Sequence, residues 1–452
     1  MLNAFRQSLQ CAREEQSLYF SALLSEETIN QSFGAARHLW QGWVYTPAVT
    51  VWVFLSQCLS PDHSCRDAVA RLIAWQVSQG LKPSSADTSA YCTARDALPE
   101  EACQQLVQTT GRSLEEEAPE WLFHNRHVRV VDGSTVTMPD TPENQEEYPQ
   151  QPGQKLGCGF PIARILILFS LSVGTVLEAA LGKYQGKLTG ENSLFRTIHH
   201  RLQSNDIVVG DRYFAGWFDL ALLQERWVDA VVRKHQLRPT DFRKGTRLGP
   251  DDHLVCWKKP QRPQWMTIEQ YTALPDELVV REVRVRVTQR GFRSKVIIVV
   301  TTLLDHEEFS PEEIAILFRR RWQAELSLRS LKVELQMDHL RCKTPHRVRN
   351  EIYMHLLAYN LIRRVMALAA EDQGTFPWCV SFKGTVQALN QFLFLLTTSL
   401  PIEEGCAAMI QCVMSQRVGN RPDRVEPRLI KKRPKEYRRL TMPRSHYKTH
   451  LA

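Results

Sequence analysis

Apolar residues recur at helical spacing through roughly the first 120 positions. The stretch "CRDAVARLIAWQVSQG" (65–80) is one such amphipathic run. It stops at Gly80 ahead of the breaker segment "KPSSAD". A helical N-terminal domain is therefore expected over 1–120. DNA binding and scaffolding are equally compatible with it, because no motif assigns either.

From His127 the period shortens to that of strands. "HVRVVDGSTVTM" (127–138), "PIARILILFS" (161–170) and "TVLEAALGKY" (175–184) read as strands. "ENSLFRTIHHRLQ" then reads as a helix, "DIVVGD" as a strand, "AGWFDLALLQER" as a helix and "DAVVRKH" as a strand. This order predicts a mixed α/β sheet over 121–235. A stretch rich in strand signals, including "ELVVREVRVRVTQRGFRSKVIIVVTTL", interrupts the pattern over 236–310 and reads as a β-rich insertion. Helical periodicity resumes over 311–400, and 401–452 forms a C-terminal region with a basic tail.

Within 311–400, "FRRRWQAELSLRSLKVELQM" (318–337) reads as one helix with no Gly or Pro. At 100° per residue, Phe318, Arg321, Glu325 and Lys332 fall on a stripe about 60° wide, with Lys332 about 10 Å beyond Glu325 along the axis. Leu317, Ala324, Leu328, Leu331 and Leu335 form an adjacent apolar stripe able to pack on a sheet. An ordinary i, i+4 ion pair accounts for Arg321 with Glu325, but leaves Lys332 in line with them unexplained.

Composition adds a direction to this picture. Lys and Arg number 57 against 49 Asp and Glu, a net charge of +8, so an anionic partner is modestly favoured. The excess gathers in the tail, where 417–448 holds twelve basic and three acidic residues. That tail suits a phosphate-backbone arm, and equally a solvated terminus. The longest apolar run, "ILILFSLSVGTVL" (165–177), is too short for a bilayer span of about 20 residues; its central Gly174 instead suggests two buried strands joined by a turn. Eleven cysteines without a CxxC pair, and an N-terminal segment without a leader pattern, predict reduced thiols in a cytoplasmic protein. Cys58, Cys65, Cys92 and Cys103 lack the paired spacing of a zinc knuckle and read as structural.

The candidate chemistry lies in three carboxylates. Asp132 follows an apolar strand and precedes Gly133, and Asp211 follows "IVVG" in the same relation. Ligand sites of open α/β sheets collect at that edge. Two such aspartates suit Mg²⁺, a hard cation that keeps waters for a substrate phosphate. A pair of ions about 4 Å apart can activate an attacking oxygen and stabilise a leaving one. Glu325 is the candidate third ligand. Asp140, in "MPDTPEN", rivals Asp132, although an Asx turn is the simpler account of it.

These residues resemble a known family. Phe318, Arg321, Glu325 and Lys332 follow the spacing Tyr, two residues, Arg, three residues, Glu, six residues, Lys, which resembles the signature of the insertion-sequence-four family of bacterial DDE transposases. "VVDGSTVTMPDTPEN" (130–144) and "DIVVGDRYFAGW" (206–217) are similar to the blocks that carry its two aspartates, and "VEPRLIKKRPKEYRRL" (425–440) is similar to its C-terminal tail. Phe318 departs from the signature tyrosine, so a hydroxyl contact to phosphate is absent there.

The resemblance implies an RNase H-like, retroviral-integrase-like core, interrupted by the β-rich insertion. It implies Asp132, Asp211 and Glu325 as the catalytic, metal-binding triad, and Phe318, Arg321 and Lys332 at transposon-end DNA. Arg212, Arg233 and Lys234 are secondary candidates for phosphate contacts, and Trp257 and Trp265 for stacking on an unpaired base, with ion pairing or core packing as the alternatives. Two Mg²⁺ ions, for which Mn²⁺ can substitute, are expected. So are double-stranded DNA partners (terminal inverted repeats and target DNA), a homodimer in a synaptic complex, and a DNA-associated cytoplasmic location in a bacterium. A nuclease without strand transfer, and a catalytically silent DNA-binding derivative of a transposon, are the competing readings.

Overall fold

The computed structural model of the chain describes residues 1–18, 20–34, 40, 44–118, 121–286, 296–398, 400–418 and 439–449. Helices come first: α1 (Leu2–Glu14), α2 (Glu26–Phe33), α3 (Pro47–Leu59), α4 (Cys65–Ser78), α5 (Ser89–Asp96) and α6 (Glu100–Glu116). The next segment runs β1 (Val128–Thr137), α7 (Pro142–Glu147), β2 (Ile162–Ser170), β3 (Val176–Lys183), α8 (Glu191–Ile198), β4 (Ile207–Gly210), α9 (Trp217–Gln224) and β5 (Asp229–Arg233). Then follow β6 (Thr246–Gly249), β7 (Asp252–Lys258), α10 (Ile268–Ala273), β8 (Glu277–Arg286) and β9 (Val296–Thr301). The chain closes with α11 (Pro311–Arg320), α12 (Trp322–Arg329), a π-helical turn (Ser330–Glu334), α13 (Pro345–Asp372), α14 (Phe382–Thr398), α15 (Ile402–Ser415) and α16 (Arg444–Thr449).

Two compact units divide these elements. The helical unit comprises Met1–Trp121, Ser172–Glu178 and Leu326–Val418. Its centre is α13, buried along most of its length and packed on α3 and α6. The approach to the 172–178 segment is close enough to require glycine: a Cβ on Gly111 would stand 2.3 Å from the Val176 carbonyl oxygen. Asn360 closes that junction, accepting from the Val176 amide at 2.7 Å and donating to the Val107 and Val176 carbonyls at 3.0 and 2.8 Å. Among the described residues no helix is long and apolar enough to cross a membrane.

The other unit comprises Leu122–Leu171 and Ala179–Glu325, with described residues 439–449. Among the described residues, nine strands form one sheet in the order β3-β2-β1-β4-β5-β9-β8-β7-β6. β1, β4 and β5 are mutually parallel, β2 is antiparallel to β1, and β9 is antiparallel to β5. The apolar runs explain the centre: every residue of "IVVG" in β4 is buried, as is nearly all of β2. The fold is mixed α/β on a large central sheet, as expected for an RNase H-like core. The β-rich stretch expected over 236–310 is continuous with that sheet, because β9 pairs directly with β5 and β8, β7 and β6 extend it outward.

The 318–337 stretch is not one helix. α11 opens on a capping box between Ser310 and Glu313, with Pro311 in the first turn. It ends at Arg321, where hydrogen bonds tighten to i→i+3 from Arg321 to Phe318 and from Ala324 to Arg321. α12 then runs into the π-helical turn, closed by the Leu335 amide on the Ser330 carbonyl at 3.0 Å. Propensity alone does not register either change, since every residue across them is helix-compatible. The block 425–440 falls almost entirely outside the described residues.

Candidate active site

Parallel pairing of β1 with β4 builds the site. Val128 faces Ile207, Arg129 faces Val208 and Val130 faces Val209. Pairing stops there, and two residues beyond it on each chain come Asp132 and Asp211; the Asp211 charge reaches Asp132, so the two acids are near each other. β4 ends at Gly210, whereas β1 continues to Thr137 against β2, with Asp132 opposite Ile167. The edge at which Asp132 leaves the apolar core is therefore made by the end of β4, not by the end of its own strand.

Local hydrogen bonds fix both acids. Asp132 accepts from the Gly133 amide at 3.0 Å. Asp211 caps the short turn that follows it, accepting from the Tyr213 amide at 2.7 Å. Burial pushes the Asp132 carboxyl up to about 6; Arg321 and the Gly133 amide oppose the rise, and the charges of Glu325 and Asp211 add to it. Those mutual influences place Asp132, Asp211, Glu325 and Arg321 in one electrostatic neighbourhood. Glu325, on α12, accepts from Arg321 at 2.6 Å through Oε1, leaving Oε2 outside that hydrogen bond.

The remaining predicted residues divide. Arg233, at the end of β5, has its guanidinium pKa lowered first by burial, then by Arg212 and Arg321, with Asp211 opposing, so all three cations share this neighbourhood. Arg212 also donates to Gln236 at 2.8 Å. Phe318 is 8% exposed and packs on the buried side of α11. Lys234 is 6% exposed and pairs with Glu282 at 2.9 Å, donating also to Thr240 and the Pro239 carbonyl, so its ammonium is engaged inside the sheet unit. Trp257 is buried beneath the Arg238 guanidinium, 3.9 Å from its ring centroid; Trp265 lies beneath Arg196 at 3.8 Å. Lys332 belongs to the helical unit, where the π-helical turn breaks the stripe drawn for a regular helix, and it pairs with Asp338 at 2.9 Å. The rival Asp140 is exposed and accepts from the Gln145 side chain at 2.7 Å.

One acid at this centre carries no sequence signal. Glu191 opens α8, and a Cβ on Gly133 would lie 2.5 Å from its carboxyl carbon. Burial raises its pKa, Arg164 at 3.4 Å opposes, and the Asp211 charge raises it further. A helix-opening glutamate is commonplace. Only the folded sheet brings it to Gly133.

This donor set suits hard divalent cations. Among the described residues, no three carboxylate, imidazole or thiol groups converge tightly enough to hold one ion together. The coupling is pairwise, Asp132 with Asp211 and Asp132 with Glu325. Pairs of carboxylates suit cations that retain several waters, and a cation would relieve the part of the Asp132 rise that Glu325 and Asp211 add to burial.

A family model described as the transposase DDE domain matches residues 124–361. Transposase InsG for insertion sequence element IS4, from Escherichia coli strain K12, is 28% identical over 403 residues, covering 86% of this chain and 85% of that protein. The transposase for insertion sequence element IS421, from Escherichia coli, is 40% identical over 65 residues, 14% of this chain and 18% of that protein. Among solved structures, the cryo-EM piggyBac transposase synaptic complex with hairpin DNA matches with a TM-score of 0.42 at 10% identity, covering 89% of this chain and 82% of that one.

Proposed function

The chain belongs to the DDE transposase family, in its insertion-sequence-four branch, and from that premise we propose that it binds the terminal inverted repeats of its own element and moves the element by cut-and-paste. The observation that supports this reading is that Asp132 and Asp211 both follow the paired stretch of β1 and β4 and that the charges of Asp211 and Glu325 both reach Asp132. DDE transposases generally use divalent metal ions. Here we assign Mg²⁺, two ions with Mn²⁺ able to substitute, held by Asp132 and Asp211 with Glu325 completing the second site.

Bound there, the ions supply activation of a water or 3′ hydroxyl and stabilisation of the leaving oxygen. The chain's own residues do the rest. Arg321 holds Glu325 in place through its 2.6 Å hydrogen bond. Arg212 and Arg233 form a cationic rim that attracts a phosphodiester to the acids. Phe318 anchors α11 by packing, and Lys332 serves DNA contact from the helical unit. The first step breaks a phosphodiester at the element's end and leaves a 3′ hydroxyl. In the second, that hydroxyl forms a new phosphodiester with target DNA and displaces a target-strand 3′ oxygen. A homodimer holding two ends in a synaptic complex, acting on bacterial DNA in the cytoplasm, completes the reading.

A labelled terminal-repeat duplex with Mg²⁺ and a target plasmid tests it. The wild type should produce cleaved ends and joined products, while Asp132→Ala, Asp211→Ala and Glu325→Ala should each lose both by about 10³-fold or more, roughly 4 kcal/mol of barrier. Activity retained in one variant removes that acid from the triad. Cleavage by the wild type without joining replaces transposase with nuclease.

A further inference from the structure

Two consecutive residues of α8 touch the backbone that carries the aspartates. Glu191 lies against Gly133, where even a methyl group would collide with its carboxyl group at 2.5 Å. Asn192 donates to the Tyr213 carbonyl at 2.6 Å, and the amide of that same Tyr213 donates to Asp211 at 2.7 Å. One end of one helix thus braces the residue after Asp132 and the turn that Asp211 caps. α8 is itself fastened from behind, since Arg196 donates to the buried Asp219 at 2.7 Å.

We propose that Glu191 and Asn192 are positioning residues of the acid centre, and that Glu191 adds its negative charge to the field that draws divalent cations to Asp132 and Asp211. Glu191 is paired with Arg164 at 3.4 Å, long for a charge-assisted bond, and Arg164 also reaches the Tyr184 carbonyl and ring. Its carboxyl group stands against Gly133, the residue after Asp132. A side chain at Gly133 would have to displace the Glu191 carboxyl group, the far end of a flexible side chain.

The inference rests on the active-site reading above, so its test separates the two. Mn²⁺ binding to the free full-length chain, followed by electron paramagnetic resonance and calorimetry without DNA, reads affinity independently of turnover. Glu191→Gln should weaken Mn²⁺ binding about tenfold, the lower end of what outer partners of metal sites contribute. Arg164→Met, which removes a nearby cation, should leave affinity unchanged or raise it. A merely structural ion pair predicts that the two variants behave alike. Should Glu191→Gln fold poorly, Gly133→Ala displaces the same carboxylate without changing charge, and should also weaken binding.

Wild-type affinity in Glu191→Gln, or an equal fall in Arg164→Met, overturns the role of Glu191. An Asp132→Ala/Asp211→Ala double variant that binds Mn²⁺ like the wild type instead overturns the active-site reading itself. If that double variant loses binding while Glu191→Gln and Gly133→Ala keep it, only the present inference fails.

Discussion

Within the sheet-bearing unit, the outer strands and the acids beside β4 compensate charge differently. In the strands beyond β9, Arg281 is 0% exposed and meets both oxygens of Asp252 at 2.9 and 2.6 Å, with the Phe309 carbonyl at 2.7 Å. Lys234 is similarly matched by Glu282. Beside β4, by contrast, Asp132, Asp211, Glu325 and Glu191 gather near one another, and Asp132 is pushed up to about 6. In the outer strands each buried charge is answered by its opposite inside the fold. At the acid centre Arg321, Arg164, Arg212 and Arg233 stand near the four acids, yet after burial the carboxylates still raise one another, Glu325 and Asp211 acting on Asp132 and Asp211 on Glu191.

The largest effect should follow removal of a matched charge. Arg281→Met strands Asp252 in the sheet and should destabilise the protein by about 3–5 kcal/mol, read from urea melts. A loss below about 1 kcal/mol would mean that the outer strands tolerate bare charge as the acid centre does. Cleavage by the folded fraction should be nearly unchanged.

A smaller effect should come from buried histidines in both units. Burial first, with nearby cationic groups, lowers His355 to about 3 and His199 to about 4; His63 falls to about 4 against the partial opposition of Asp62. Their ordinary value is about 6.5, so each stays neutral when folded and takes a proton when unfolded. The stability they support is fully present above about pH 6.5 and is lost as pH falls from there towards about 4. Urea melts between pH 7 and 5 should show this decline, and His355→Gln should flatten it; an unaltered slope would show that His355 is not a source.

The smallest effect belongs to the signature position. Phe318→Tyr should change stability by less than about 1 kcal/mol and tighten binding to a terminal-repeat duplex by less than about tenfold. Weaker binding would show that the ring's packing excludes a hydroxyl. That result would set Phe318 with the buried ion pairs as structure and not as part of the DNA contact.

What could be read from sequence follows the range of the signals. The strands carrying Asp132 and Asp211 were legible because unbroken apolar runs mark buried parallel strands, and an acid following such a run stands out. Gly174 was legible as a turn, and its φ of +75° needs glycine. Glu191 was not, since its role depends on a contact across 58 residues to Gly133. The break at Arg321 and the π-helical turn after Arg329 were hidden by uniformly helix-compatible residues. The engagement of Lys234 by Glu282, and the arginines lying over Trp257 and Trp265, depend on neighbours distant in sequence, which residue type alone does not reveal.

The acid centre holds charge for function while the outer strands hold it for structure, and Asp132→Asn tests both halves in one sample. The folded carboxyl lies above its ordinary value of 3.8, so protonation favours the folded chain at low pH and that support is lost as pH rises through about 6. At pH 7.5 the ionised Asp132 therefore opposes folding, and an amide of nearly equal shape removes the charge. An equal or higher melting temperature is expected, together with loss of Mg²⁺-dependent end cleavage. Cleavage at the wild-type rate, or a destabilisation as large as that of Arg281→Met, would contradict it.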